Sequence, residues 1–193
     1  MIISSGGSSI SYRSFMIFID GGYLRKGIKE KFGHDKIDFN GLPWILANKA
    51  RWGTIQMELR RVYYYDAITD YKEDQEKHKE LEPYFENIQK IDNYEVKLGR
   101  LIKTNKENGY RQKGVDVLLA IDMISKAHLD HYDIALLLAG DDDYLDMVKS
   151  IKDFTGKRVY GAYFEHNASK RLVASLDMRI PLTEDIINQI VQK

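Results

Sequence analysis

Short runs of β-branched and aromatic residues alternate with amphipathic stretches along most of the chain, and this alternation limits the fold more than any other feature. The strand-like runs lie at 16–20, 59–65, 96–102, 134–138, 159–164 and 179–182. Apolar residues at helical spacing predict helices at 23–32, 40–51, 70–92, 115–129, 145–154, 168–176 and 184–192. This order predicts an α/β fold, a three-layer α/β/α sandwich around a mainly parallel, doubly wound sheet.

Length and composition set the outer limits. The chain has 193 residues, 44% of them hydrophobic, which is enough for one domain with a sizeable core. We expect a single domain at 16–193 after a Ser- and Gly-rich flexible leader or tag at 1–15. The lack of cysteine excludes disulfides and thiolate zinc ligands, and it fits a cytoplasmic location. No apolar run reaches the roughly 18 residues of a membrane span, so we expect no membrane partner.

Acidic residues follow two of the predicted strands. Asp20 ends the first strand, and Asp141 follows the strand at 134–138 after Ala139 and Gly140. Ligand sites in open parallel sheets form beyond the carboxyl ends of the strands, so both acids should meet at one edge. Asp116 opens a predicted helix and would point towards the same edge.

Several carboxylates held close together cost free energy unless a cation compensates them. A site of oxygen ligands without Cys or paired His favours Mg²⁺ or Mn²⁺ over zinc. Taken singly, each aspartate is also an ordinary helix N-cap, and Asp142 or Asp143 could simply cap the helix at 145–154. It is the coincidence of acids from distant parts of the chain that favours a metal site.

Three ordered segments resemble the signature blocks of NYN domains. They are FIDGGYL (18–24), QKGVDVLLAIDM (112–123) and LLLAGDDDYLDMV (136–148), and the resemblance extends from about residue 16 to residue 182. NYN domains belong to the PIN-like nuclease superfamily, and the bacterial branch is called LabA-like. The resemblance implies a PIN-like fold and cleavage of RNA phosphodiester bonds by an activated water.

The resemblance also implies roles for individual residues. The acids that would hold the metal and perform catalysis are Asp20, Asp116, Asp141 and Asp143. Asp122 and Tyr23 would support these ligands from behind, and Asp142 is the member of the triplet not expected to bind metal. Family members commonly carry Asn at the position of Tyr23 and Ser at that of Ala139, and these two departures bear on substrate preference and rate.

A basic segment precedes Asp116. Residues 103–114, KTNKENGYRQKG, predict a polar loop above the proposed site. Basic side chains with an interleaved aromatic suit a single-stranded phosphate backbone and a stacked base. The candidate RNA-binding residues are Lys97, Arg100, Lys103, Lys106, Tyr110, Arg111 and Lys113. Taken alone, the same segment is equally well explained as a solvated loop.

Three functions compete on these grounds. The first is a Mg²⁺- or Mn²⁺-dependent endoribonuclease acting on single-stranded or structured RNA. The second is an RNA-binding regulatory module that has kept the fold and lost turnover. The third, a metal-dependent phosphatase, needs a second aspartate two residues after Asp20, and Gly22 occupies that position. Aromatic residues at the surface would also be compatible with a homodimer.

Overall fold

A computed structural model describes residues 12–51, 56–104 and 109–191. The strands in these ranges are β1 (Tyr12–Asp20), β2 (Gln56–Ile68), β3 (Tyr94–Lys103), β4 (Tyr110–Lys113), β5 (Ile134–Leu138), β6 (Arg158–Tyr163) and β7 (Met178–Pro181). The helices are α1 (Gly21–Phe32), α2 (Leu42–Lys49), α3 (Gln75–Gln89), α4 (Val115–His128), α5 (Leu145–Thr155), α6 (Lys170–Ser175) and α7 (Glu184–Ile190). These strands form one sheet in the order β4-β3-β2-β1-β5-β6-β7, parallel except for the β3–β4 pair.

The order of the strands reverses direction beside β1. The chain moves outward from β1 through β2 to β3, then returns to place β5 on the other side of β1 before continuing to β6 and β7. A crevice forms at the carboxyl ends of strands where the order reverses in this way. The end of β1 and the end of β5 border that crevice, so the topology places the acids that follow them next to each other.

Two apolar cores lie on opposite faces of the sheet. One contains the inward faces of α1, α2, α3 and α7, and the other contains those of α4, α5 and α6. Strand β1 contributes to both cores, because Ile17 and Ile19 point to one face and Met16 and Phe18 to the other. The predicted three-layer α/β/α fold is confirmed.

Strand β1 begins at Tyr12, four residues before the strand predicted at 16–20. Residues Tyr12 and Arg13 are exposed and Ser14 is half-buried, so this part of the strand lacks the apolar run that marks the rest. Parallel pairing with β2 begins at Tyr12 and holds it in the sheet. The last four residues of the leader predicted at 1–15 therefore belong to strand β1. Residues 1–11 lie outside the described ranges.

Helix α3 is shorter than the helix predicted at 70–92, since it covers Gln75–Gln89. Pro83 lies inside α3 without splitting it, although a proline removes one backbone hydrogen bond from a helix. Leu81, Phe85 and Ile88 on this helix are buried, and their packing offsets that loss.

The segment predicted as a loop at 103–114 contains β4, which pairs with β3 as a hairpin. The alternation of half-buried and exposed residues in β4 is only four residues long, so it gives a weak strand pattern in the sequence.

In the three described ranges, no helix combines the length and the apolar character needed to cross a lipid bilayer.

Replacing Ile17 by Ala should lower the free energy of unfolding by about 2–5 kcal/mol, because the side chain is fully buried in the central strand. The matched control is Ile121→Ala on α4, where the side chain is 57% exposed and the change should cost less than about 1 kcal/mol. Urea denaturation of both variants measures the difference. Equal losses in the two variants would contradict the central position of β1.

Candidate active site

A cleft with a volume of about 890 Å³ opens where the strand order reverses. It is bordered by the end of β1, by α1, by the start of α4 and by the segments that follow β5 and β6. The lining residues are Asp20, Gly22, Tyr23, Arg25, Lys26, Lys29, Asp35, Gln112, Asp116, Gly140, Asp141, Asp142, His166, Asn167, Ala168 and Ser169. Three of the four predicted catalytic acids therefore share one cleft.

Asp20 is the most buried acid of this cleft, with 8% of its surface exposed. Its Oδ1 accepts a hydrogen bond of 2.9 Å from the backbone N–H of Tyr23, so Asp20 also caps α1. Burial is the main cause that raises the pKa of Asp20 from 3.8 to about 6; the charges of Asp116 and Asp66 raise it as well, whereas its hydrogen bonds lower it. The ionised form of Asp20 is therefore costly, and a cation beside it would relieve that cost.

The hydroxyl group of Tyr144 connects Asp20 to Asp116. It lies 3.1 Å from Oδ2 of Asp20 and 2.8 Å from Oδ1 of Asp116. Burial, followed by the two neighbouring carboxylates, raises the pKa of Tyr144 above its ordinary value, so the hydroxyl keeps its proton at neutral pH. A hydroxyl donates only one hydrogen, so the two carboxylates compete for one donor. Tyr144 thereby fixes the two acids next to each other.

Asp116 reaches the cleft because of the turn that leads into α4. It lies in the first turn of that helix, directly after the β4 strand and Gly114. Gly114 has φ 83°, a left-handed conformation that other residues rarely adopt. This turn brings the start of α4 from the edge of the sheet to the cleft.

The three aspartates after β5 have different surroundings. Asp141 lines the cleft, and its Oδ1 accepts a hydrogen bond of 3.2 Å from the backbone N–H of Asp143. Asp142 lines the cleft too, but its carboxylate accepts hydrogen bonds from Ser169 Oγ and, at 2.6 Å, from Arg171 Nη1. These contacts tie the segment before α6 to the triplet. Asp143 is exposed and does not belong to the cleft lining, so its predicted place among the ligands differs from its position here.

A further acid, Asp66, contacts the cleft residues Arg25 and Gln112 and was not among the predicted site residues. It is fully buried near the end of β2 and accepts hydrogen bonds from Arg25 Nε (2.9 Å), Gln112 Nε2 (2.7 Å) and the Tyr64 hydroxyl (3.1 Å). Although burial lowers it, the charge of Asp66 raises the pKa of Arg25 above its ordinary value. The rule that identified Asp20, an acid near the end of a parallel strand, also applies to Asp66.

The predicted basic residues of the β3–β4 hairpin lie elsewhere. None of those in the described ranges lines the cleft, and Lys106 lies outside these ranges. Tyr110 donates a 2.6 Å hydrogen bond to Asp74, and Lys97 pairs with Asp122 at 3.1 Å. The basic residues that do line the cleft are Arg25, Lys26 and Lys29, all on α1. The segment before Asp116 therefore contributes the neutral Gln112 to the cleft and none of its basic side chains in the described ranges.

Tyr23 supports the site through its backbone and its ring. Its N–H holds Asp20, while its hydroxyl accepts a 2.9 Å hydrogen bond from the backbone N–H of Phe164. Its ring packs against that of Phe164 and fills the space beside Gly140. Tyr23 thus holds the end of β1 against the segments that follow β5 and β6.

Asp122 does not contact the cleft acids. Its carboxylate accepts a hydrogen bond of 2.9 Å from the Tyr65 hydroxyl and pairs with Lys97 and Lys126. Both lysines lie over the ring of Tyr63, Lys126 at 4.4 Å from its centroid. Asp122 therefore organises the packing of α4 against β2 and β3, which differs from its predicted role behind the metal ligands.

Comparison with protein families identifies the fold family. The model of the NYN domain matches residues 14–183. The chain belongs to the NYN domain family. NYN domains are part of the PIN-like nuclease superfamily, as the sequence blocks implied.

The fold of this NYN domain has a counterpart among solved structures. A protein of unknown function from Vibrio parahaemolyticus superimposes with a TM-score of 0.67, covering 96% of this chain and 100% of that one. The two sequences are 19% identical, so the likeness concerns the fold. A search of curated proteins finds no match.

PIN-like nucleases typically use divalent metals, and the acids of this NYN domain suit a hard cation. In the described ranges, no three Asp, Glu or His side chains lie close enough to enclose a metal ion by themselves. Mg²⁺ ordinarily binds through only one or two carboxylates and completes its shell with water and substrate phosphate. Asp20 and Asp116, which already meet at one hydroxyl, supply two such carboxylates, and Asp141 lines the same cleft.

The raised pKa of Asp20 predicts a specific dependence of stability on pH. Because the folded-state pKa of about 6 exceeds 3.8, the folded protein binds this proton more tightly than the unfolded chain. The resulting stability is complete below pH 3.8 and is lost as the pH rises through about 6. Relative to Asp20→Asn, the wild-type protein should lose about 3 kcal/mol across this window. Urea denaturation in EDTA between pH 3.5 and 8 measures the difference, and a constant difference would contradict it.

Replacing Asp66 by Asn should lower the free energy of unfolding by about 3–5 kcal/mol, because it leaves the charge of Arg25 without its buried partner. Asp92→Asn is the matched control: Asp92 is exposed, and the change should cost less than about 0.5 kcal/mol. Thermal and urea unfolding at pH 7 report both values. A loss at Asp66 no larger than at Asp92 would show that the pair does not stabilise the fold.

Proposed function

We propose that this NYN domain is a metal-dependent endoribonuclease that hydrolyses RNA phosphodiester bonds. The observation that carries the proposal is the convergence of Asp20 and Asp116 on the Tyr144 hydroxyl, in a cleft that Asp141 also lines. These acids come from β1, from α4 and from the segment after β5. Asp20 is buried, whereas Asp116 and Asp141 are exposed to the cleft, so a cation bound there would meet one poorly solvated carboxylate and two accessible ones. Membership of the PIN-like superfamily favours a nuclease.

Asp20, Asp116 and Asp141 are the side chains that would hold Mg²⁺ or Mn²⁺. The bound ion would supply a water of lowered pKa and neutralise negative charge on the leaving oxygen. The protein's own contribution is orientation. The Tyr23 N–H and the Tyr144 hydroxyl hold the two oxygens of Asp20, and the N–H of Asp143 restrains Asp141.

The walls of the cleft determine what can reach these acids. Asp142 fixes the segment before α6 through Ser169 and Arg171, and Ser169 N–H also donates to the Gly140 carbonyl oxygen at 2.8 Å. A Cβ atom at Gly140 would clash with the Asn167 carbonyl oxygen and with the Tyr23 ring, so a larger side chain does not fit there. These contacts support a proposal in which an extended RNA strand lies in the cleft of about 890 Å³.

Incubation of the protein with labelled RNA and Mn²⁺ tests the nuclease activity. Cleavage should require Mn²⁺ or Mg²⁺, stop in EDTA, and fall by at least about 100-fold in Asp116→Asn and Asp141→Asn, because each change removes one anionic oxygen ligand. Asp146→Asn is the matched control, since Asp146 is exposed on α5 and does not line the cleft. Circular dichroism should first show that every variant is folded, and the cleavage rates are then compared.

Separate variants of the triplet decide the role of Asp143. Asp143→Asn should retain cleavage, because the side chain lies outside the cleft lining and its backbone N–H still holds Asp141. Loss of cleavage in this variant would restore Asp143 to the ligand set. Retention of RNA without cleavage in every metal tried would favour the RNA-binding module, and undiminished cleavage by Asp141→Asn would contradict the site.

A further inference from the structure

The cations of the cleft all project from one face of α1. Arg25 and Lys29 are four residues apart and Lys26 and Lys29 three apart, so the side chains are neighbours along the helix. Asp20 caps the start of the same helix. A path along α1 therefore leads from the proposed catalytic acids to Lys29 over about 14 Å, at 1.5 Å per residue.

Arg25 is held in a fixed orientation at the floor of this path. Asp66 contacts its Nε and Nη2 atoms at 2.9 and 3.1 Å, which uses one edge of the guanidinium group. Asp35 lies 3.7 Å from Nη1, beyond hydrogen-bonding distance. Arg25 also lines the cleft, and a planar guanidinium group with one edge held by a carboxylate keeps N–H groups that suit the oxygens of a phosphate.

The charge of Arg25 is neutralised by Asp66, so Lys26 and Lys29 supply the net positive charge along α1. Both lysines are exposed on the cleft side of α1. Lys26 has a distant ion pair of 4.0 Å with Glu30, and within the described residues the Lys29 side chain has no ion pair. Their charges remain accessible to a ligand, whereas Lys97 in the hairpin is already paired with Asp122.

We propose that α1 is the track for the substrate strand, with Arg25, Lys26 and Lys29 binding the phosphates on one side of the scissile bond. This inference rests on the proposed nuclease function and names its substrate path: a single strand of RNA along α1, away from the β3–β4 hairpin. Asp66 and Gln112 act as positioning residues, since they contact Arg25 or its partner and orient the guanidinium group.

The salt dependence of RNA binding tests this track without metal. Fluorescence anisotropy in EDTA gives the affinity of the full chain for a labelled single-stranded RNA across a series of KCl concentrations. Lys26→Gln/Lys29→Gln should weaken binding at least about tenfold and reduce the slope of log K against log salt by about 1.4, or 0.7 per lost phosphate contact. Lys49→Gln/Lys149→Gln, which removes the same charge from exposed sites outside the cleft, should leave the slope unchanged.

A third pair of changes decides between α1 and the hairpin. Lys103→Gln/Arg111→Gln should retain the wild-type slope; loss of slope in this pair with none in the α1 pair would overturn the proposal. Equal losses in all three pairs would also overturn it, because they would indicate unspecific attraction. Arg25→Lys keeps the positive charge but removes the paired N–H donors of the guanidinium group, so RNA affinity should fall while the salt slope is retained. Unaltered affinity in a folded Arg25→Lys variant would show that Arg25 does not bind the RNA.

Cleavage in Mn²⁺ separates this proposal from the nuclease function. RNA binding through α1 without cleavage would support the track and contradict the nuclease. Cleavage by the wild-type protein together with unaltered binding by the α1 pair would support the nuclease and overturn the track.

Discussion

The cost of holding carboxylates together at one edge of the sheet determines how the surrounding residues are arranged. A parallel sheet with its order reversed beside β1 brings Asp20, Asp66 and Asp141 to that edge, and α4 adds Asp116. Each charge that lies in a poorly solvated position needs a donor or a cation. Among the described residues, no buried side-chain nitrogen or oxygen lacks a hydrogen-bond partner.

The carboxylates at this edge have two different kinds of hydrogen-bond donor, charged and neutral. Asp66 has a permanent counter-charge in Arg25, together with hydrogen bonds from Tyr64 and Gln112. Asp20 and Asp116 have only neutral donors and share one tyrosine hydroxyl. A carboxylate pair without a built-in cation retains affinity for one from solution. Under the proposed function, the pair at Tyr144 is the part of the edge that would bind a metal, whereas Asp66 holds the guanidinium group of Arg25 in place.

The alternation of strands and helices was enough to predict the α/β fold, since each core strand carries an apolar run, and the strand predicted at 134–138 is confirmed. The start of β1 and all of β4 lack such runs, so only their pairing reveals them. The strand-end rule that identified Asp20 would also have identified Asp66, and helical spacing places the cations of α1 next to one another. The bridge from Tyr144 depends on side-chain direction between β1, α4 and the turn before α5, and no local pattern contains that information.

Charge balance over the whole chain hides its distribution within the cleft. The 29 basic and 29 acidic residues cancel, yet Asp116 and Asp141 line the cleft beside α4 and β5, while Arg25, Lys26 and Lys29 line it along α1, where Asp35 is also present. A phosphodiester strand needs both kinds of surface, because cations attract its phosphates and a metal between acids acts on only one of them. A neutral chain can therefore bind an anionic polymer when its charges are separated over the width of one cleft. In this NYN domain α1 makes that separation, since it begins at Asp20, a proposed catalytic acid, and continues with Arg25, Lys26 and Lys29.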